Sequence, residues 1–205
     1  MTEGIPAHRP ADARAAPRLA VLSGPGGVGK STVVRVLRDM LPEWVVSVSA
    51  TTRAARPGER DGVDYWFVSD ERFDELIADG AFLEWANFGG HRYGTLWRSV
   101  REPLDAGRSV LLEIEIQGAL AVKKEFPEAV LIFLHPPHFE TLRARLRERG
   151  TDDQQRVQQR LALAEWELAQ AAAFDHHVTN ENVTSAAARI AAILADDAHP
   201  QVADA

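Results

Sequence analysis

Short apolar runs alternate with segments of helical spacing along most of the chain. Runs of mainly apolar residues predict core strands at Leu19–Ser23, Val45–Ser49, Ser109–Ile114, Val130–Leu134 and His176–Thr179. Helical spacing and end signals predict helices at Lys30–Leu41, Asp70–Asp79, Thr95–Ala106, Gln117–Phe126, Phe139–Arg149, Asp153–Ala173 and Val183–Leu194. Residues 82–88 are also predicted to be extended. Strands that alternate with helices indicate a layered α/β fold with a mostly parallel sheet.

The composition is that of one globular domain. The chain has 205 residues, of which 45% are hydrophobic and 26% charged, unlike a disordered chain. Its apolar runs are too short to span a bilayer, and its net charge of −7 argues against a nucleic-acid or membrane partner. The absence of cysteine excludes disulfides and fits a reducing compartment. Residues 1–17 are predicted to be a disordered tail, and residues 198–205 a second tail.

A glycine-rich loop joins the first strand to the first helix. It reads Gly24-Pro25-Gly26-Gly27-Val28-Gly29-Lys30-Ser31-Thr32 and meets the spacing G-x-x-x-x-G-K-S in the strand–loop–helix context that this motif requires. Its glycines let backbone N–H groups approach phosphate oxygens, and the helix N-terminus adds unpaired donors. We expect Lys30 to reach the β- and γ-phosphates of a nucleoside triphosphate and Ser31 to help hold Mg²⁺.

A second group of residues has the chemistry to bind a phosphorylated acceptor. Arg53 and Arg56 are three residues apart and can grip one phosphate from two directions, and the hydroxyl of Tyr65 can join them. Further along the chain, Glu84 supplies a carboxylate, and Tyr93 and Thr95 supply hydroxyls.

Together with the glycine loop, the segment from Ser47 to Tyr65 resembles guanylate kinase. The run Thr-Thr-Arg-x-x-Arg-x-Gly-Glu at residues 51–59 is specific to that family, and the resemblance extends from about Leu19 to Leu194. It implies a P-loop kinase fold with a five-stranded core sheet flanked by helices. It further implies a domain at residues 18–197, with a core at 18–49 and 97–195, a GMP-binding lobe at about 50–96 and a helical lid at about 145–160.

The resemblance assigns roles to residues at matching positions. It implies that the GMP phosphate is bound by Arg53, Arg56, Tyr65 and Tyr93. It implies that the guanine and its surroundings are contacted by Ser49, Glu84, Thr95, Glu113 and Glu115. It implies that the lid arginines are Arg145, Arg149 and Arg160, and that Asn180 lies near the ATP base. Guanine presents N1–H and N2–H₂ side by side, so that the single carboxylate of Glu84 can accept from both, whereas adenine has an acceptor at N1.

Three segments depart from the family pattern: the glycine loop, the end of the third core strand along the chain, and the lid. Gly26 stands where serine is usual, and Glu113 and Glu115 stand where aspartate is usual. Glu115 reaches one methylene further, which can shift a water-mediated Mg²⁺ contact or crowd the acceptor. The lid carries Gln154 and Gln155 where acidic residues are more common.

The leading hypothesis is a magnesium-dependent, cytoplasmic enzyme of purine metabolism that phosphorylates GMP, and also dGMP, with ATP. Its expected partners are these small molecules, with the oligomeric state left open. One alternative is a guanylate-kinase-like interaction module, although such modules tend to have degraded loops and lid arginines, which this chain retains. Another is a related kinase that acts on a different nucleotide or phosphorylated metabolite, an alternative motivated by Glu115.

Overall fold

The computed structural model describes residues 16–148 and 154–196. Its strands are β1 Leu19–Ser23, β2 Val45–Val46, β3 Ala50–Thr51, β4 Trp66–Phe67, β5 Phe82–Phe88, β6 His91–Leu96, β7 Val110–Glu113, β8 Val130–His135 and β9 His176–Thr179. Its α-helices are α1 Lys30–Met40, α2 Asp70–Ala78, α3 Trp97–Asp105, α4 Ile116–Glu125, α5 Phe139–Glu148, α6 Gln154–Ala169 and α7 Val183–Asp196.

Five strands form a wholly parallel core sheet in the order β2-β7-β1-β8-β9. Strand β1 lies in the centre and is buried along its whole length. Successive residues of β1 face opposite sides: Val21 packs in one core cluster with α3 and α4, and Leu22 packs in another with α1 and α7. The sheet is therefore covered by helices on both faces, which confirms the predicted α/β fold class.

A second sheet of four strands, in the order β4-β3-β6-β5, is inserted between β2 and α3. Strands β5 and β6 form an antiparallel hairpin whose turn contains Gly89 and Gly90, both at positive φ. Strand β3 pairs with β6 on one side and with β4 on the other. This excursion leaves the core after β2 and returns to it through α3 and β7, which is the neighbour of β2 in the core sheet.

Several predicted element bounds are wrong. The predicted strand Val45–Ser49 ends at Val46, because the chain then crosses to the second sheet and pairs again at Ala50. The predicted helix at 95–106 begins only at Trp97, since Thr95 and Leu96 complete β6. The long helix predicted at 153–173 ends at Ala169 and is followed by a 3₁₀ turn at Ala171–Ala173.

Candidate active site

The glycine loop turns sharply between β1 and α1. Gly24 has φ 147°, and a Cβ atom on it would lie 2.4 Å from the carbonyl oxygen of Leu134 in β8. Gly27 and Gly29 also have positive φ, at 89° and 102°. The loop therefore needs glycine both for its backbone angles and, at Gly24, for its close approach to a neighbouring strand.

The first residues of α1 are already joined to polar partners. The Lys30 ammonium is buried, donates to the carbonyl oxygen of Gly24 at 2.6 Å and lies 3.5 Å from the Glu115 carboxylate. The Ser31 hydroxyl donates to Glu113 Oε1 at 2.6 Å. Because β1 and β7 are parallel neighbours, the C-terminal end of β7 brings both acids next to the loop.

Glu167 is a further polar group at the loop, and it is not among the residues predicted from the sequence. It lies on α6, is only 3% exposed, and accepts a hydrogen bond from the Gly26 N–H at 3.2 Å. Burial, reinforced by the neighbouring Glu115 carboxylate, raises the pKa of Glu167 from its ordinary 4.5 to about 7. No residue pattern singles it out, since Glu165 occurs on the same helix and only the packing of α6 against the loop buries Glu167.

Asn180 supports the loop from the core side. Its side chain is buried, and its Nδ2 donates to the carbonyl oxygen of Val28 at 2.8 Å, while its own N–H donates to the carbonyl oxygen of His135. The side chain thus ties the end of β9 to the glycine loop.

The predicted phosphate-binding arginines lie on the opposite side. The Arg53 guanidinium forms a two-pronged ion pair with Glu59, with both N···O distances at 2.9 Å. This pair holds the pKa of Glu59 below its ordinary value, and Glu59 also accepts from the Arg56 N–H at 2.7 Å. The rings of Tyr65 and Tyr93 meet edge to face beside Arg53, at 6.0 Å between centroids. Glu59 belongs to the specific run in the sequence, but its role as the partner of Arg53 needed the structure.

Glu84 on β5 faces β6 across the hairpin. Its Oε1 accepts from the Thr95 hydroxyl at 2.7 Å and from the Thr95 N–H at 3.1 Å. Thr95 is fully buried, so it contacts the carboxylate and does not line open space. Burial raises the pKa of Glu84, whereas the two Thr95 hydrogen bonds oppose the rise.

One cleft of about 270 Å³ lies between the loop and the second sheet. The predicted residues that line it are Pro25, Gly26, Gly27, Gly29, Lys30, Ser31, Thr32, Ser49, Arg53, Arg56, Tyr65, Glu84, Tyr93, Glu113 and Glu115. The other predicted residues of the described chain, outside this lining, are Gly24, Val28, Thr95, Asn180 and Arg160. The side chain of Arg145 lies outside the described part of the chain. Arg149 lies outside the described residues. The structure thus brings the predicted donor and acceptor groups together in one cleft.

The cleft contains basic side chains that can bind anions and oxygen atoms that can bind a cation. Lys30, Arg53 and Arg56 offer positive charge to phosphates. Oxygen atoms of Ser31, Glu113 and Glu115 are the kind of ligand that Mg²⁺ prefers. Within the described ranges, no group of three or more His, Cys, Asp or Glu side chains is placed to hold a metal by itself.

A strand–glycine loop–helix unit that faces arginines and a buried carboxylate across one cleft defines the class of P-loop nucleotide kinases. Comparison with known proteins makes this specific. The family model for guanylate kinase matches residues 16–197. The chain belongs to the guanylate kinase family, which confirms the predicted family and enzyme class.

Individual relatives agree with this assignment over most of their length. The guanylate kinase of Streptomyces coelicolor is 53% identical over 184 residues, which cover 90% of this chain and 92% of the relative. The guanylate kinase of Gloeobacter violaceus is 48% identical over 194 residues, which cover 95% of this chain and 92% of the relative. The crystal structure of guanylate kinase from Anaplasma phagocytophilum superposes with a TM-score of 0.77 at 34% identity, covering 92% of this chain and 89% of that one.

Proposed function

We propose that the chain transfers the γ-phosphoryl group of ATP to GMP, and also to dGMP, and so forms ADP and the nucleoside diphosphate. The observation that carries the proposal is the single cleft in which Lys30 and Ser31 of the glycine loop face Arg53, Arg56 and Glu84 of the second sheet. Two nucleotides bound at these two sides would have their phosphates between them, which is the arrangement that direct transfer requires.

The donor side would bind the ATP phosphates through backbone N–H groups of the loop and the N-terminus of α1. Lys30 is well prepared for this, because its ammonium is already desolvated and fixed by the Gly24 carbonyl. Glu115 is its only carboxylate partner within 4 Å among the described residues, so triphosphate oxygens can compete for the ammonium.

The acceptor side would bind the GMP phosphate through Arg53 and Arg56, with the Tyr65 and Tyr93 hydroxyls beside them. Glu59 orients the Arg53 guanidinium by occupying one edge of its fork, and Arg has further N–H donors for phosphate. Glu84 would accept from guanine N1–H and N2–H₂, with Thr95 beneath it fixing the carboxylate. An adenine would leave this carboxylate without its donors, which disfavours AMP.

In the transfer, a GMP phosphate oxygen forms a bond to the γ-phosphorus while the bond to the bridging oxygen of ADP breaks. The acceptor phosphate is already ionised near neutral pH, so no strong general base is needed. Lys30 and Arg53 would offset the negative charge that accumulates on the oxygens in flight. The protein's task is to position two anions that otherwise repel each other.

Ser31 would hold Mg²⁺ directly, and Glu113 and Glu115 would hold it through water. The ion would supply charge neutralisation on the phosphate oxygens. The hydrogen bond between Ser31 and Glu113 keeps this set of oxygen atoms together.

The lid arginines Arg145, Arg149 and Arg160 would close over the transferring group and exclude water. Arg160 lies on α6, two helical turns before Glu167, and therefore on the same face as the carboxylate that contacts the loop. This spacing supports a role for Arg160 near the donor phosphates.

An acceptor panel tests the proposed function. Release of ADP is measured with GMP, dGMP, AMP, CMP and UMP, for the natural chain and for Glu84→Ala. We expect the natural chain to prefer GMP and dGMP, and we expect Glu84→Ala to lower kcat/KM for GMP by about a hundredfold while the rate with AMP stays at its background. Preference for another acceptor would assign the chain to a different substrate, and no transfer to any acceptor would contradict the kinase activity itself.

The proposed substrates also indicate where in the cell, and in which part of metabolism, the enzyme would act. We propose a cytoplasmic enzyme of purine nucleotide metabolism, since ATP and GMP are its substrates. Among the described residues no helix has the length and apolarity to cross a membrane.

A further inference from the structure

Helix α4 contains a glycine that its own backbone does not require. Gly118 lies in the first turn of α4 and is buried. Its φ is not positive, so its backbone angles do not call for glycine. In such a position glycine destabilises a helix by up to about 1 kcal/mol relative to alanine. A reason for glycine must therefore come from what lies against it.

The neighbour is the carboxylate of Glu84. A Cβ atom on Gly118 would lie 2.5 Å from Glu84 Oε2 and 2.9 Å from Glu84 Cδ. The next nearest atom, Ile114 Cδ1, is at 3.3 Å, a separation that small movements of that side chain can accommodate. The space that the missing methyl group leaves is thus taken by the acid.

The two oxygens of Glu84 are therefore fixed by different elements. Oε1 accepts two hydrogen bonds from Thr95 of β6, and Oε2 lies against the bare backbone of α4 at Gly118. A carboxylate has one plane, so fixing both oxygens fixes the direction in which its remaining lone pairs point. Base recognition by a single carboxylate depends on that direction.

We propose that Gly118 is a positioning residue for acceptor specificity: the absence of a side chain there lets the Glu84 carboxylate lie against α4 in the orientation that reads guanine. The inference rests on the proposed function, because it takes the guanine contact of Glu84 as given. Gly118 belongs to the core of the fold and lies 34 positions after Glu84 in the chain. The inference therefore adds a core residue to the residues of the second sheet that would recognise the base.

Gly118→Ala tests this inference with little risk to the fold. The clashing atoms belong to the far end of a flexible side chain, so the carboxylate moves and the backbone does not have to. Alanine also favours the helix, so we expect the melting temperature to stay the same or rise. We expect kcat/KM for GMP to fall by about tenfold or more, with KM for ATP unchanged. Lys124→Ala, an exposed change on the same helix, is the control and leaves all these values unchanged.

A double-mutant cycle separates positioning from general damage. In the Glu84→Ala background there is no carboxylate to displace, so adding Gly118→Ala has no further effect on GMP use. If the glycine is merely structural, the loss from Gly118→Ala is the same in both backgrounds, and the inference is wrong. Unchanged GMP kinetics in the single variant Gly118→Ala also overturn it.

Failure of the proposed function gives a different result. If Glu84→Ala itself leaves GMP kinetics unchanged, then the guanine role of Glu84 is wrong and the role of Gly118 falls with it. If Glu84→Ala impairs GMP use and Gly118→Ala does not, only the role of Gly118 is lost. If Gly118→Ala does not fold, Gly118→Ala paired with Glu84→Asp provides the second test, in which restored folding on shortening the acid supports the contact, and no restoration contradicts it.

Discussion

The two sides of the cleft are built in different ways. On the donor side, the glycine loop is set against backbone: Gly24 touches the carbonyl of Leu134, and Lys30 is held by the carbonyl of Gly24. On the acceptor side the decisive contacts join side chains, as in the ion pair of Arg53 with Glu59. Backbone contacts suit a site that binds phosphates common to all nucleotides, whereas side-chain contacts suit one that must choose a base.

This difference explains why one departure from the family pattern is mild. Gly26 stands where the family usually has serine, but the group that the structure uses at this position is the backbone N–H, which donates to Glu167. Any residue except proline supplies that N–H. A change of equal size at Glu84 would remove a contact that no backbone group replaces.

The largest expected effect is on the donor side. Lys30→Ala should lower kcat by about a thousandfold or more with every acceptor, since it removes the desolvated ammonium that we expect to neutralise the transferring phosphates. Steady-state kinetics with GMP and with dGMP measure it, and Lys124→Ala is the exposed control. A loss of kcat confined to one acceptor would place Lys30 on the acceptor side and contradict the proposed difference between the two sides of the cleft.

Gly24→Ala should be the most destabilising change in the loop. The methyl group would meet a fixed carbonyl oxygen of the core sheet at 2.4 Å, and the φ of 147° disfavours alanine. We expect unfolding free energy to fall by about 3 kcal/mol, as measured by denaturant unfolding. Gly118→Ala is the matched comparison, since there the clash is with a flexible side chain. If Gly24→Ala and Gly118→Ala lost the same unfolding free energy, a clash with a backbone carbonyl would cost no more here than a clash with a flexible side chain.

Arg53→Lys tests the acceptor side with charge retained. Lysine cannot make the two-pronged contact with Glu59 and so would present its charge in no fixed orientation. We expect KM for GMP to rise by about tenfold while KM for ATP is unchanged. A lysine variant with natural GMP kinetics would mean that charge alone, without geometry, binds the acceptor phosphate.

The smallest expected effect concerns Glu167 and pH. Its pKa in the folded chain is raised to about 7 from 4.5, so the folded state holds the proton more tightly than the unfolded state. The contribution of Glu167 protonation to the stability of the folded state is complete below pH 4.5 and is lost as the pH rises through about 7. Glu167→Gln keeps an acceptor for Gly26 and has no charge to bury. It should therefore raise the melting temperature by a few degrees at pH 8, about 1 kcal/mol, and not at pH 5. An equal shift at both pH values would contradict the raised pKa.

The core was predictable from sequence because two signals coincide there. The glycine motif marks the end of β1 and the start of α1, and continuous apolar runs mark strands buried on both faces. The second sheet was mostly not predictable. Strands β3 and β4 have two residues each, too few to display a period, and β6 contains Tyr93 and Thr95 in a run that reads as polar.

The site was predictable where a residue's chemistry shows in its local run, as for Lys30, Arg53 and Arg56. It was not predictable where the role arises from packing between distant elements. Glu167 is one of two acids on α6 until the helix meets the loop, and Gly118 is only a glycine in a helical pattern. Such a glycine indicates a close approach, but the sequence does not tell which group approaches. The roles of the lining residues themselves stay predictions until the variants are measured.

The insertion of the second sheet between β2 and α3 has a consequence for the history of such chains. An excursion that leaves and re-enters at neighbouring strands can be exchanged or remodelled while the catalytic core is inherited unchanged. The contact of Glu84 with Gly118 limits that freedom, because it couples the insert to a residue of the core. Lineages that drift to a larger residue at 118 should therefore carry a shorter acid, or a different acceptor, at 84. Divergence at these two positions should be correlated.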